Sequence, residues 1–494
     1  MKKYLQTGLR LTAVSALFAL TACSDDFIDV TPNQFISVER VEASVNNDPE
    51  LVAGQLNGIY TTMIETGTGG TGDHTDFGQK GYDIQMDMLS GDMALSINTY
   101  GWYNRLQQFQ PTQDYTLNDN YKPWRYYYRI IRSCNFLIAS AGGNDVVPED
   151  EQVRHLVGQT KAMRAYAYFY LSQLYITEGY APDQPTLPIY IDLDATPKAK
   201  STGAEVYDLI VSDLTDAISF MDGFTRSNKN EVDANIAKGL LAYTYAAMGN
   251  DAEVARLTSE VINNGGYTVM SSADALAGFN DASNAGWMWA QDVTLDNGLG
   301  LISWWGQMDI FTYSYAWAGD RKTIDQNLFD AIPADDVRKS QFFPDPSSGY
   351  YLTPYNKFYS PERQIGGQRN VETDYVFMRI AEMYLLNAEA NAKANNDGAA
   401  QASLKAIVSN RVADASYIDA LTGANLLREI DLQARIELWG EGKTYLSMKR
   451  NKRSIVRGDN HLSNVGVVIP SNDTRLTFEI PQAEILNNPN IDLD

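Results

Sequence analysis

Apolar residues return every three or four positions through three long stretches of the chain. Residues 124–138 carry Tyr127, Ile131, Cys134, Phe136 and Ile138. Residues 153–176 carry Leu156, Met163, Ala167, Tyr170, Leu171 and Leu174, and residues 206–221 carry Leu209, Ile210, Leu214, Ala217 and Ile218. This spacing predicts amphipathic helices, each with one stripe facing a core. Two later stretches share a different pattern. Residues 234–262 read as a helix rich in small residues (Ala237, Leu240, Leu241, Tyr245, Ala247), a break at Gly249-Asn250-Asp251, and a second helix through Ala255 and Val261. Residues 375–408 read the same way, with Met378, Ala381, Leu385 and Ala388, a break at Asn395-Asn396-Asp397-Gly398, then Ala402, Leu404 and Ile407.

Two helices of similar length, small residues where they cross and a Gly/Asn turn describe a tetratricopeptide-like hairpin. Residues 121–140 with 150–177, and 203–221 with its neighbours, supply further pairs. Such hairpins cannot bury both faces alone, so they stack. The expected fold is mainly α: stacked helical hairpins plus an irregular, aromatic-rich loop layer carrying short strands. That layer is expected at residues 265–370, where Gly, Asn, Asp, Ser and Pro interrupt the helical pattern. The same stretch holds Trp287, Trp289, Trp304, Trp305 and Trp317, five of the eight tryptophans. Disordered segments are poor in aromatics, so this one must fold. A smaller irregular patch spans residues 66–118.

The first residues pattern differently from all of this. Lys2, Lys3 and Arg10 precede ten largely apolar residues at 11–20. That run is too short to cross a bilayer core, which needs roughly 20 residues. It ends in Leu20-Thr21-Ala22-Cys23, a branched residue, two small ones and a cysteine. Residues 1–22 therefore read as a lipoprotein signal peptide, Cys23 as the acylated residue, 23–48 as a lipid-anchored tether, and 49–494 as one α-rich domain. Several acyl chains on one cysteine hold a protein on a bilayer far better than one.

Charge narrows the partners. The chain carries 39 Lys and Arg against 62 Asp and Glu, a net charge of −23. Loss of the basic leader deepens it. Such a surface repels nucleic acid and anionic lipid. Cys134 is the one cysteine besides Cys23, and it lies on an apolar stripe, as a buried structural thiol would.

Catalytic and metal chemistry find little support. His74, His155 and His461 stand far apart, with no His/Cys cluster for zinc and no nucleophile elbow or phosphate loop. Glu437 and Glu441, one helical turn apart, resemble the carboxylate pair of a glycoside hydrolase. Arg435, Lys443, Lys449 and Arg450 nearby explain them equally well as fold-bearing ion pairs. The acids at 292–296 and Asp335-Asp336 lack the loop pattern of a calcium site and read as solvated or capping residues. No cofactor and no metal are expected.

The aromatic loops carry the positive signal. A pyranose has an apolar C–H face and a rim of hydroxyls, so its capture needs a flat ring beside well-placed polar groups that offset desolvation. Asn98, Tyr100, Trp102 and Arg105 supply both within one loop. Trp287, Trp304, Trp305, Tyr313, Tyr315, Trp317 and Arg321 supply them in the second segment, where Gln307, Asp309 and Asp320 lie between the rings. The alternative for each ring is core of a loop layer without regular structure.

Several ordered segments resemble the SusD/RagB family of surface glycan-binding lipoproteins. They are the Cys23-Ser24-Asp25-Asp26 start, Tyr126-Tyr127-Tyr128 leading to Cys134-Asn135, and Ala162-Met163-Arg164-Ala165-Tyr166. Later come Ile332-Pro333-Ala334-Asp335-Asp336-Val337-Arg338, Arg379-Ile380-Ala381-Glu382, Arg435-Ile436-Glu437-Leu438-Trp439-Gly440-Glu441-Gly442-Lys443, and Phe478-Glu479-Ile480-Pro481. Lys443 and Ser447 depart from the pattern, which has arginine and an acid there. The resemblance implies four tetratricopeptide-like units, an irregular ligand-facing layer, and a position at the outer face of the outer membrane. It implies glycan ligands, delivery to a SusC-like TonB-dependent transporter, and no catalysis. Peptide capture by a RagB-like protein and a secreted glycoside hydrolase are the alternatives.

Overall fold

The computed structural model describes residues 49–491. The leader, Cys23 and the tether expected at 23–48 lie outside the described residues. Among the described residues no helix is long and apolar enough to cross a membrane.

The first helix, α1 (Pro49–Thr62), is followed by α2 (Gln79–Leu89) and the strand β1 (Met93–Ile97). Then comes the helical stack: α3 (Asn118–Ser140), α4 (Glu151–Tyr175), α5 (Gly203–Phe220), α6 (Ala234–Met248) and α7 (Asp251–Asn264). The irregular layer contributes β2 (Trp287–Gln291) and β3 (Arg321–Ile324). The chain then forms β4 (Tyr375–Arg379), α8 (Ile380–Lys393), α9 (Asp397–Val408), α10 (Gly423–Glu437) and α11 (Thr444–Arg450). From α3 to α9 each helix packs on the next, α10 closes on α8, and α1 covers α3 and α4. This is the stacked-hairpin, mainly α architecture expected from the pattern.

Local chemistry sets the helix ends. Asp150, Asp233 and Asn250 each accept a backbone N–H at the start of α4, α6 and α7. Thr202 and Glu205 form a reciprocal capping box on α5. These side chains satisfy donors that a helix start leaves unpaired. Gly249, at φ 75°, closes α6 in the left-handed conformation that favours glycine. Small residues let axes approach. A Cβ at Gly158 on α4 would press on Met221 and Phe220 at the end of α5.

Pro123 lies inside α3, where it lacks an N–H and crowds the preceding turn. The Tyr175 hydroxyl repairs the gap from α4. It accepts from Trp124 N (3.0 Å) and donates to the Asn120 carbonyl (2.6 Å), a pair that a regular helix would have joined directly.

One hydrophobic core runs from α1 through the stack to Trp439, Tyr445 and Phe478. A satellite core joins α8, α9 and α10 through Leu385, Leu404, Leu426 and Ile430. Cys134, the one cysteine among the described residues, is buried, and burial pushes its thiol well above the ordinary range.

The segment expected as helix from residue 375 begins instead as β4. It pairs antiparallel with β2, Trp287 opposite Arg379 and Gln291 opposite Tyr375. The irregular layer has a small core of its own, Ile310, Phe311 and Ala316 under Tyr350, Tyr355 and Tyr359.

Candidate functional site

The ribbon β1–β3 brings the two aromatic segments together. Its strands run antiparallel, with Met93 opposite Ile324 and Ile97 opposite Arg321. Residues 98–105 leave the end of β1 just where Gly319 and Asp320 enter β3. The Asp320 carboxylate, fully buried, accepts from the N–H groups of Thr99 (2.6 Å), Tyr100 (2.7 Å) and Trp102 (3.0 Å). One acid thus fixes the loop that carries both rings. Charge-assisted bonds to backbone N–H are among the stronger hydrogen bonds. Gly319, at φ 127°, is required here, since a Cβ would collide with the Thr99 side chain.

On that loop Trp102 lies flat against His74, ring centroids 4.8 Å apart and planes 4° apart. Tyr315, on a short helix at Tyr315–Ala318, meets Trp102 edge-on at 5.8 Å and Tyr100 at 5.4 Å. Its hydroxyl bonds to His74 Nδ1. Tyr315 is buried, whereas Tyr100 is 59% exposed. The result is a braced platform with its outer ring in solvent. Behind it Gln307 donates to the His74 carbonyl (2.7 Å), and Lys322 donates to Gln307 (2.5 Å) and to the Asp320 carbonyl (3.2 Å). Burial depresses the Lys322 ammonium to about 7.

The other expected site residues divide in two. Asn98 and Arg105 are exposed on the same loop and the turn after it. Tyr313 and Trp317 are partly exposed and 5.5 Å apart, with Arg369 over Tyr313 at 4.2 Å and Gly366 against the Trp317 ring. Arg321 stacks over Tyr350 at 4.6 Å. Trp287, Trp304 and Trp305, by contrast, are each at most 2% exposed. Trp287 packs on Phe279, and Trp304 on Trp305 and Phe358. They are core of the loop layer.

His74 was missed as a platform residue because histidine was weighed only as a metal ligand or catalyst. Its place within the irregular 66–118 patch was the available signal.

The carboxylate pair also has its answer in geometry. Glu437 accepts from Arg338 (3.2 Å), Arg379 (3.1 Å) and Arg411 (2.9 Å). Glu441 accepts from Arg379 (2.8 Å) and Lys357 (2.9 Å). Both are buried, and the surrounding cations hold Glu437 well below the ordinary carboxylate range and Glu441 near 2. The pair is an internal ion network rather than an acid and base facing a cleft. Asp336 is likewise engaged by Arg338. Lys443, in the family's arginine position, turns instead to the Tyr170 hydroxyl (2.9 Å) and toward Glu382 (4.0 Å). Among the described residues no three His, Cys, Asp or Glu side chains gather as a metal site.

Two family models match the chain. The model described as the SusD family covers residues 343–492, and the one described as starch-binding associating with outer membrane covers residues 56–247. No curated protein matches. Solved structures resemble the chain along most of its length. A SusD-like carbohydrate binding protein from Bacteroides vulgatus superposes with a TM-score of 0.73 at 23% identity, covering 90% of this chain and 97% of that one. SusD superfamily proteins from Bacteroides thetaiotaomicron and Bacteroides fragilis give 0.71 and 0.72, both at 22% identity and 90% of this chain, with 98% and 99% of theirs. At such identities these neighbours bear on the fold, while the two family models together bear on descent, and the chain belongs to the SusD-like family.

Proposed function

We propose that this protein captures glycan at the outer membrane without cleaving it, on the platform formed by Tyr100, Trp102 and Tyr315. The carrying observation is the exposed Tyr100 ring held by a buried acid: a flat apolar surface positioned in advance of any ligand. Rigid aromatic surface loses little freedom on binding. Asn98 and Arg105, exposed beside Tyr100 in the chain, and Arg321, opposite Ile97 in the ribbon, would supply polar partners for hydroxyls, with Tyr313 and Trp317 as further rings. The family description as starch-binding and outer-membrane associating supports this reading. So does the likeness to a structure named as a carbohydrate binding protein.

The acylated Cys23 anchors the mature domain through its tether, facing the exterior, and a SusC-like TonB-dependent transporter receives the ligand. Glycan binding is tested by titrating the mature protein with linear and branched oligosaccharides. Saturable binding that falls about tenfold or more in Tyr100→Ala and Trp102→Ala, with unchanged circular dichroism, is the expected result. Equal binding by both variants would reject the platform. Saturable binding of peptides and of no glycan would move the protein to the peptide-capturing reading. Release of reducing ends that Glu441→Gln abolishes would make it a hydrolase.

A further inference from the structure

The unused arginines of this acidic chain point to a second site. Among the described residues, most arginines donate to a carboxylate, carbonyl or amide of the chain. Six have no hydrogen bond or ion pair: Arg105, Arg125, Arg129, Arg132, Arg321 and Arg369. Arg105 follows the Tyr100 loop, Arg321 stacks on Tyr350 and Arg369 on Tyr313. Arg125, Arg129 and Arg132 stand together elsewhere, on the outer face of α3.

Their positions, i, i+4 and i+7, make one exposed stripe, with successive steps of about 6 Å and about 4.5 Å along the axis. Like charges at this spacing repel and weaken a helix. Among the described residues no carboxylate forms an ion pair with any of the three. The stripe borders a groove of about 510 Å³. Tyr128 and Tyr190 meet edge-to-face within it, centroids 6.0 Å apart. The acids of the groove are already engaged. Glu484 accepts from Trp124 Nε1 (3.3 Å) and Asn488 (2.9 Å). Asp194 accepts from Thr196 (2.7 Å), and Asp192 faces Lys198 at 3.6 Å. The acids thus have hydrogen-bond donors of the chain itself, whereas the three guanidiniums have no acceptor among the described residues. At one end the Arg125 guanidinium lies on Gly70, where any side chain would displace it.

We propose that this groove is a second binding site, selective for an acidic saccharide whose carboxylate or sulfate groups pair with Arg125, Arg129 and Arg132 while its sugar rings lie over Tyr128 and Tyr190. Guanidinium groups match such anions through two parallel hydrogen bonds. The concave, ring-lined wall fits a chain of sugars better than a flat membrane surface. This site does not depend on the Tyr100 platform.

The test titrates the mature protein with hexameric oligogalacturonate and with a chondroitin sulfate hexasaccharide. Carboxyl-reduced oligogalacturonate is the neutral control, and phosphatidylglycerol vesicles are the lipid arm. Saturable binding of at least one acidic oligosaccharide is expected, weakening as salt rises. It should fall on the order of tenfold or more in the Arg125→Gln, Arg129→Gln, Arg132→Gln variant and persist in Tyr100→Ala. All three arginines are exposed, so that variant retains its fold, as circular dichroism would record. Four results would overturn the proposal: neither acidic oligosaccharide binding, undiminished binding by the triple variant, equal binding of the neutral control, or preference for the vesicles. None of these touches the glycan reading, which stands or falls with Tyr100 and Trp102.

Discussion

Asp320 and Glu441 are buried carboxylates with opposite duties. Asp320 faces backbone donors and shapes a surface loop, so its removal is felt at the platform. Asp320→Asn keeps the shape but gives up charge and one acceptor, at about 1–3 kcal/mol. Faster hydrogen exchange at the Thr99, Tyr100 and Trp102 amides, with weaker glycan binding, is the expected outcome. Glu441 faces Arg379 and Lys357 in the interior. Glu441→Gln strands those cations and should destabilise by about 3–5 kcal/mol in chemical denaturation. Its titration gives a sign as well. The folded carboxyl is held near 2 against an ordinary value of 4.5, so the folded state binds fewer protons between those values. Stability from this group is therefore full above pH 4.5 and is lost as the pH falls toward about 2. Urea midpoints measured across that window should drop steeply in the wild type and less steeply in Glu441→Gln.

Among the elements, α3 and α4 are joined by Arg164, which donates to Asn135 (2.9 Å), and by the Tyr175 hydroxyl that spans the Pro123 gap. Tyr175→Phe leaves Trp124 N and the Asn120 carbonyl without their buried partner. A loss of about 1–3 kcal/mol follows, readable as a lower thermal midpoint, whereas the same change at exposed Tyr100 should leave the midpoint unmoved. Element boundaries also mark what the sequence alone discloses. The hairpin α6–α7 was legible because its turn is written locally, in Gly249 and the capping Asn250. β4 was not, because Tyr375–Arg379 becomes a strand only by pairing with Trp287–Gln291, some ninety positions away. Its five residues are all buried, so no alternation of polar and apolar positions separates strand from helix. The platform was half legible for a related reason. Tyr100, Trp102 and Tyr315 were found by residue type, but Trp304 and Trp305 have the same type and neighbours of the same kind. Only the β1–β3 register sorts surface rings from core rings.

For the whole molecule, the proposed anchor at Cys23 and the internal ion network each give a prediction. Cys23→Ala removes the proposed acylation site and alters no residue of the described domain. Membrane fractionation should then find the protein in soluble fractions, and recovery in the membrane fraction at wild-type levels would contradict the anchor. The ion network around Glu437 and Glu441 acts at this scale too. Its cations come from Arg338, Lys357, Arg379 and Arg411, segments that the chain connects through the exposed turn at 345–347. A protease cutting that turn would sever the backbone between Arg338 and Lys357, yet Arg338 on one side would stay paired with Glu437 on the other, and β2 with β4. The two pieces should migrate as one body in native gel filtration at neutral pH and part only in denaturant or strong acid. A nicked molecule would thus remain whole, its outline outlasting the continuity of its backbone.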